Sequence, residues 1–210
     1  MMRLSIICMV LLASTAIAQD HSAHHRMHMS ESGIVMNQNA NELPIGCDAI
    51  SRDHEFTIHG GKKYVAGKPG LTFGMSQHEV RVEPCSRVTV TFVNEDEIRH
   101  QWMVHGLPKY LYPTGMFHIE AMGRQRQTGT FIVPAEDRNY LIHCDMAQHM
   151  EKGMRGQLVV GRGSGDLWGI AGVSDAFYRS SYLPRHVGWW AVTAALVAFA
   201  LAWRWRLHRP

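Results

Sequence analysis

The chain has 210 residues, enough for one medium domain with appendages or for two small domains. With 46% hydrophobic and 19% charged residues its composition is globular, which excludes a chain disordered throughout. The net charge of +3 sits at the ends: Arg3, and then Arg204, Arg206 and Arg209, leave 17 basic against 18 acidic residues over 19–187. A near-neutral body lacks the basic footprint that phosphate backbones require, so no nucleic-acid partner is expected.

Met1-Met2-Arg3, a mostly apolar run from Leu4 to Thr15, and Ala16-Ile17-Ala18 make the three parts of a secretory signal peptide over 1–18. Its apolar run is too short to span a bilayer. Export of this kind leads to the periplasm. Residues 19–43 open with His21, His24, His25, Met27, His28 and Met29, lack apolar periodicity and are expected to be disordered. From 44 to 162 short β-type runs take over, at 55–59, 78–82, 87–93, 100–104, 129–133, 140–144 and 157–160, punctuated by Gly, Pro, Asn and Asp. Strands this short, with no long helical pattern among them, predict an all-β Greek-key β-sandwich or barrel.

A Gly-rich stretch, 163–186, reads as a linker to a second apolar run at 187–204. Trp189 and Trp190 flank that run on one side and Trp203 and Trp205 on the other, as interfacial aromatic belts do. One membrane-spanning helix is expected there. The arginines that follow make 205–210 a cytoplasmic tail and leave the body in the periplasm, anchored in the inner membrane.

Signal cleavage removes Cys8 and leaves Cys47, Cys85 and Cys144. In an oxidising compartment an odd count suggests one disulfide and one cysteine with another task. Cys144 has that other task, so Cys47–Cys85 is the expected bridge, with two free thiols as the alternative.

The chain also carries 14 His and 13 Met, both ligands for soft or borderline metals. Their excess points to copper. The run from His143 to Met154 places His149 five residues after Cys144 and Met154 five further on. One thiolate, two imidazoles and a weak thioether are the ligands of a mononuclear redox copper site. A strand ending at Cys144 and a tight loop bring three of them together, and His100, after the turn at 94–96, supplies the second imidazole.

These residues resemble the cupredoxin family, and within it the last domain of multicopper oxidases. That domain ends in H-C-H-x3-H-x4-M, where this chain reads H-C-D-x3-H-x4-M, and its upstream H-P-x-H-x-H-G corresponds to His100-Gln101-Trp102-Met103-Val104-His105-Gly106. The resemblance implies a type 1 copper held by His100, Cys144, His149 and Met154. It also shows a departure. In the oxidases the remaining histidines help build an oxygen-reducing trinuclear cluster, whereas here only His105 and His143 survive, with Met103 and Asp145 in place of the others. Strand alternation sets His143 and Asp145 on the face opposite Cys144. His105 and His143 are thus either a second, weaker copper site or a remnant, and the remnant carries slightly more weight.

The size, the export signal, Gly46-Cys47 and the His/Met head also resemble the periplasmic copper-tolerance cupredoxins of the CopI kind. That likeness makes the head a further, weak copper binder for either oxidation state, with a solvated polar tail as the alternative. Met116, His118, Met122, Met146 and Met150 are candidate extra soft donors near the copper, with packing the favoured reading of each. The expected function is copper binding with Cu(I)/Cu(II) redox in copper tolerance. The alternatives are electron transfer to a membrane redox partner and, ranked last, an oxidoreductase completed by a partner chain.

Overall fold

A computed structural model describes residues 27–174 and 187–208. Among them the body is all-β: β1 (Met27–Ser30), β2 (Gly33–Met36), β3 (Asp53–Gly61), β4 (Gly74–Met75), β5 (Glu79–Val82), β6 (Arg87–Asn94), β7 (His100–His105), β8 (Met116–Ala121), β9 (Arg126–Ile132), β10 (Arg138–His143) and β11 (Arg155–Val160). They form a seven-stranded sheet in the order β1-β2-β8-β7-β10-β11-β5 and a four-stranded sheet in the order β4-β3-β6-β9. β3 with β6 and β5 with β11 run parallel, and the other pairs are antiparallel. A tight turn cannot join parallel neighbours, so between β3 and β6 the chain leaves the small sheet after β4, adds β5 to the large sheet and returns. It changes sheet again from β6 to β7, β8 to β9 and β9 to β10, as a Greek-key sandwich does.

Period-two alternation sets the faces. On β6, Val88, Val90 and Phe92 are fully buried, while Thr89 and Thr91 point outward and hydrogen-bond Thr130 and Thr128 of β9. On β7, Trp102 and Val104 enter the core and leave Gln101, Met103 and His105 on the outer face. Phe117 and Phe131 stack with centroids 4.6 Å apart, and Trp102 lies 6.4 and 6.3 Å from them. This aromatic cluster stiffens the floor on which the end of β7 rests.

Disorder over 19–43 fails as an expectation from Met27 onward. β1 and β2 form a hairpin that extends the large sheet beside β8, with Val35 1% exposed against the core. Two four-residue strands are too short to show a period, and their register is set by a strand some 80 positions away, Met36 opposite His118. His21, His24 and His25 lie outside the described residues.

The domain also continues past its expected end at 162. Ser164 hydrogen-bonds Asn139, Asp166 and the Leu167 backbone hydrogen-bond Gln157, and Ile170 is fully buried. The expected linker is therefore body as far as Ser174, docked by polar contacts that leave no periodic trace, and 175–186 lie outside the described residues. Cys47 and Cys85 are joined by a disulfide that ties the loop before β3 to the turn before β6.

α1 (Val187–Leu207) has 21 residues, is apolar enough to cross a membrane and has all its described residues exposed. At 1.5 Å per residue it is about 31 Å long, close to the thickness of a hydrocarbon core. It runs three residues beyond the expected end at 204, and the His208 N–H still reaches the Arg204 carbonyl.

Candidate metal centre

β10 delivers Cys144 to the inner face, fully buried, and the chain then closes a tight loop. The Cys144 N–H donates to the Met154 carbonyl (3.0 Å), the Met154 N–H to the His149 carbonyl (2.9 Å) and the His149 N–H to the Met146 carbonyl (2.9 Å). Gly153 turns at φ +110°, where a Cβ would stand 2.7 Å from the Phe73 carbonyl oxygen, so glycine is required. Met154 returns beneath the loop, fully buried.

His100 arrives from the β6–β7 turn, which Asn94 holds. Its buried Nδ2 donates to the carbonyls of Ile98 (2.7 Å), Ala121 (3.0 Å) and Met122 (3.0 Å), and its Oδ1 accepts from the Asp96 N–H (3.0 Å). Asp96 is thereby set against His100, with Oδ2 2.8 Å from Nε2. A carboxylate accepts, so Nε2 carries the proton and Nδ1 is left with its lone pair. That Nδ1 lies 3.1 Å from His149 Nδ1, which lies 3.4 Å from Cys144 Sγ. The donor atoms of His100, Cys144 and His149 all fall within 4.8 Å of one another. Two imidazole nitrogens each about 2.0–2.1 Å from one ion stand roughly 3–3.5 Å apart, so the observed spacing fits a shared metal.

Three further groups shape the centre. The backbone N–H groups of Gln101 (3.3 Å) and Met146 point at Sγ and favour a thiolate. The Phe73 ring lies 4.1 Å from the His149 ring and 5.2 Å from that of His100, held there by N–H bonds from Thr72 and Phe73 to the Lys152 carbonyl. Gly60 leaves space that a side chain would take: its Cβ would stand 2.7 Å from Phe92 and 2.9 Å from Met154 Cε.

Burial pushes the Cys144 thiol up to about 11, with the two backbone N–H groups pulling the other way. Burial holds His100 below the ordinary imidazole value against the pull of Asp96, and it lowers His149, with His100 adding to the effect. Without an ion at neutral pH the set is a protonated thiol and two neutral imidazoles, ready to exchange one proton for a borderline cation.

Burial likewise depresses His78, His118 and His143. Depressed imidazoles stay neutral in the fold while the unfolded chain takes up protons below about pH 6.5, so stability falls with falling pH. Each such group contributes up to about 1.4 kcal/mol per pH unit in that window. Metal-free protein unfolded in urea at pH 7 and at pH 5.5 should show a clear loss at the lower pH, and equal midpoints would contradict the burial of these rings.

The other expected donors are placed as follows. Met27, His28 and Met29 lie exposed on β1. His105 and His143 bring their rings to 4.8 Å on the outer face, away from Cys144, and His118 is buried on that face too. Asn94, Asp96, Gly60 and Phe73 escaped the sequence reading. Asn94-Glu95-Asp96 shows there as turn punctuation, and the capacity of Asn and Asp to bond nearby backbone was the available signal.

No protein-family model matches this chain, and no curated protein matches it. Solved structures do. Auracyanin B has 18% identity over 59% of this chain and 94% of its own, with a TM-score of 0.42. Auracyanin A, a "blue" copper protein from Chloroflexus aurantiacus, has 22% over 51% and 99%, with a TM-score of 0.38. A multi-copper oxidase from Pseudomonas thermotolerans has 17% identity over 58% of this chain, with a TM-score of 0.39, but only 32% of the oxidase is covered.

Proposed function

We propose that this protein holds one copper ion at His100, Cys144, His149 and Met154 as a type 1 centre, and that it serves copper tolerance in the periplasm, tethered to the inner membrane by α1. The convergence of His100 Nδ1, His149 Nδ1 and Cys144 Sγ in a buried pocket carries the reading. Copper, when bound, supplies one-electron exchange between Cu(I) and Cu(II). Cys144 gives up its proton to become the thiolate ligand, and Asp96 keeps His100 in the tautomer that presents Nδ1. Phe73 and the apolar side chains below exclude water. Met154 closes the site with a weak thioether that suits copper better than zinc.

Tolerance is favoured by the head His21, His24, His25, Met27, His28 and Met29, which offers imidazole to Cu(II) and thioether to Cu(I) and takes further, weakly held copper. α1 favours a second reading, electron transfer to a membrane partner. An oxygen-reducing enzyme is opposed by Met103 and Asp145, which stand where the oxidases carry ligands. A strain lacking the gene should grow poorly in copper and recover with the full chain, and unchanged growth would turn the assignment to electron transfer. Met154→Leu should keep its copper and raise the potential, because it replaces an electron-donating axial ligand with an apolar side chain, and an apolar surround disfavours the more highly charged Cu(II). Voltammetry reads this directly, and an unmoved potential would take Met154 out of the site.

A further inference from the structure

The outer face of the large sheet carries soft donors in register. Met27 stands opposite Met36, Met36 opposite His118, His118 opposite Met103 and Met103 opposite His143, so one rung of the ladder crosses five strands with a thioether or an imidazole at each. His105 lies two residues along β7 on the same face as Met103, and its ring is 4.8 Å from that of His143. Outer faces of antiparallel sheets ordinarily carry solvated polar side chains. Here Met103, His118 and His143 are 3%, 7% and 5% exposed.

The hydrogen bonding of these rings is incomplete. His105 Nε2, His118 Nε2 and His143 Nδ1 are buried and have no hydrogen-bond partner among the described residues. His118 Nδ1 lies 3.3 Å from the Met36 sulfur. A thioether only accepts, so Nδ1 carries the proton and Nε2 holds a lone pair. Three buried imidazole nitrogens left bare would each cost folding energy unless they serve a ligand.

We propose that His105, His143 and Met103 form a second metal site, for a soft monovalent cation of the Cu(I) class, with His118 the next donor along the row. Among the described residues, His100, Cys144 and His149 form the one set of three His, Cys or acidic donors gathered within 4.8 Å. On the outer face two imidazoles come close, the His105 and His143 rings at 4.8 Å, so an ion content with two or three donors takes its third ligand from a thioether. Thioethers select Cu(I) over harder ions. The row ends at Met27 on β1. The site stands apart from Cys144 and does not depend on the type 1 assignment.

The test is titration of the full chain, in detergent, with Ag(I) as a redox-silent stand-in, against a competing chelator. His105→Gln and Met103→Leu are compared with the unaltered protein, and thermal unfolding of each confirms the fold. The head and Cys144 bind Ag(I) equally in all three, so differences report the outer face. The expected result is one fewer retained Ag(I) in His105→Gln and affinity about tenfold weaker in Met103→Leu. Equal counts and affinities would overturn the proposal. If either variant unfolds, the imidazole 15N shifts of His105 and His143 in the unaltered protein decide: movement on adding Ag(I) supports the site, and stationary signals overturn it.

Discussion

Cys144→Ser should bind Cu(II) without visible colour and without releasing a proton at the centre. In the native site the thiol is pushed up to about 11 by burial, so it is protonated from pH 7 to pH 9, while His100 and His149 are held neutral. Copper must therefore displace one proton from Sγ, and affinity should rise about tenfold per pH unit over that range. The sign follows from competition: raising pH removes the competitor. Serine offers neither an accessible anion nor a thiolate-to-copper charge transfer, so colour and proton both vanish. A pH-indicator titration beside the visible spectrum measures the two together. Retained colour in the serine variant would remove Cys144 from the ligand set.

Replacing Cys47 and Cys85 together by alanine should cost about 4 kcal/mol, the loop-entropy value for a bridge spanning 38 residues. The bridge fastens the loop ahead of β3 to the turn ahead of β6, and β3 and β6 form the long parallel pair of the small sheet. Parallel pairing is non-local, so the unfolded chain gains most from being cut loose there. Urea unfolding of the full chain should show a lower midpoint with a steeper slope, because the uncrosslinked chain exposes more surface. Copper colour should survive in the folded fraction, since neither residue touches His100, Cys144 or His149. A loss below 1 kcal/mol would mean that the loop is already ordered without the bridge.

The candidate ligands stood out because metal chemistry constrains residue type and spacing together: a cysteine, a histidine and a methionine at fixed intervals can close one loop and little else. The strand β6 was legible because one face is core and the other solvent. β8 was not, since both its faces are buried, with Phe117 and Ile119 inward and His118 and Glu120 outward, which erases the alternation. β1 and β2 were lost to their length, and 163–174 to docking by hydrogen bonds. Asn94, Asp96, Gly60 and Phe73 belong to three segments that meet only in the fold. Their effects are hydrogen bonds at 2.7–3.0 Å, ring contacts at 4.1 and 5.2 Å or the absence of a Cβ, none of which leaves a pattern along the chain. The crowded outer face was legible only in part: His105 and His143 stood out by motif, whereas His118 and Met36 joined them through strand register.

The most direct test is to titrate the full chain in detergent with Cu(II) and follow the visible spectrum. An intense thiolate-to-copper band that saturates at one ion per chain, with any further copper bound without added colour, is the expected result. Copper bound with no such band would contradict a centre built on Cys144.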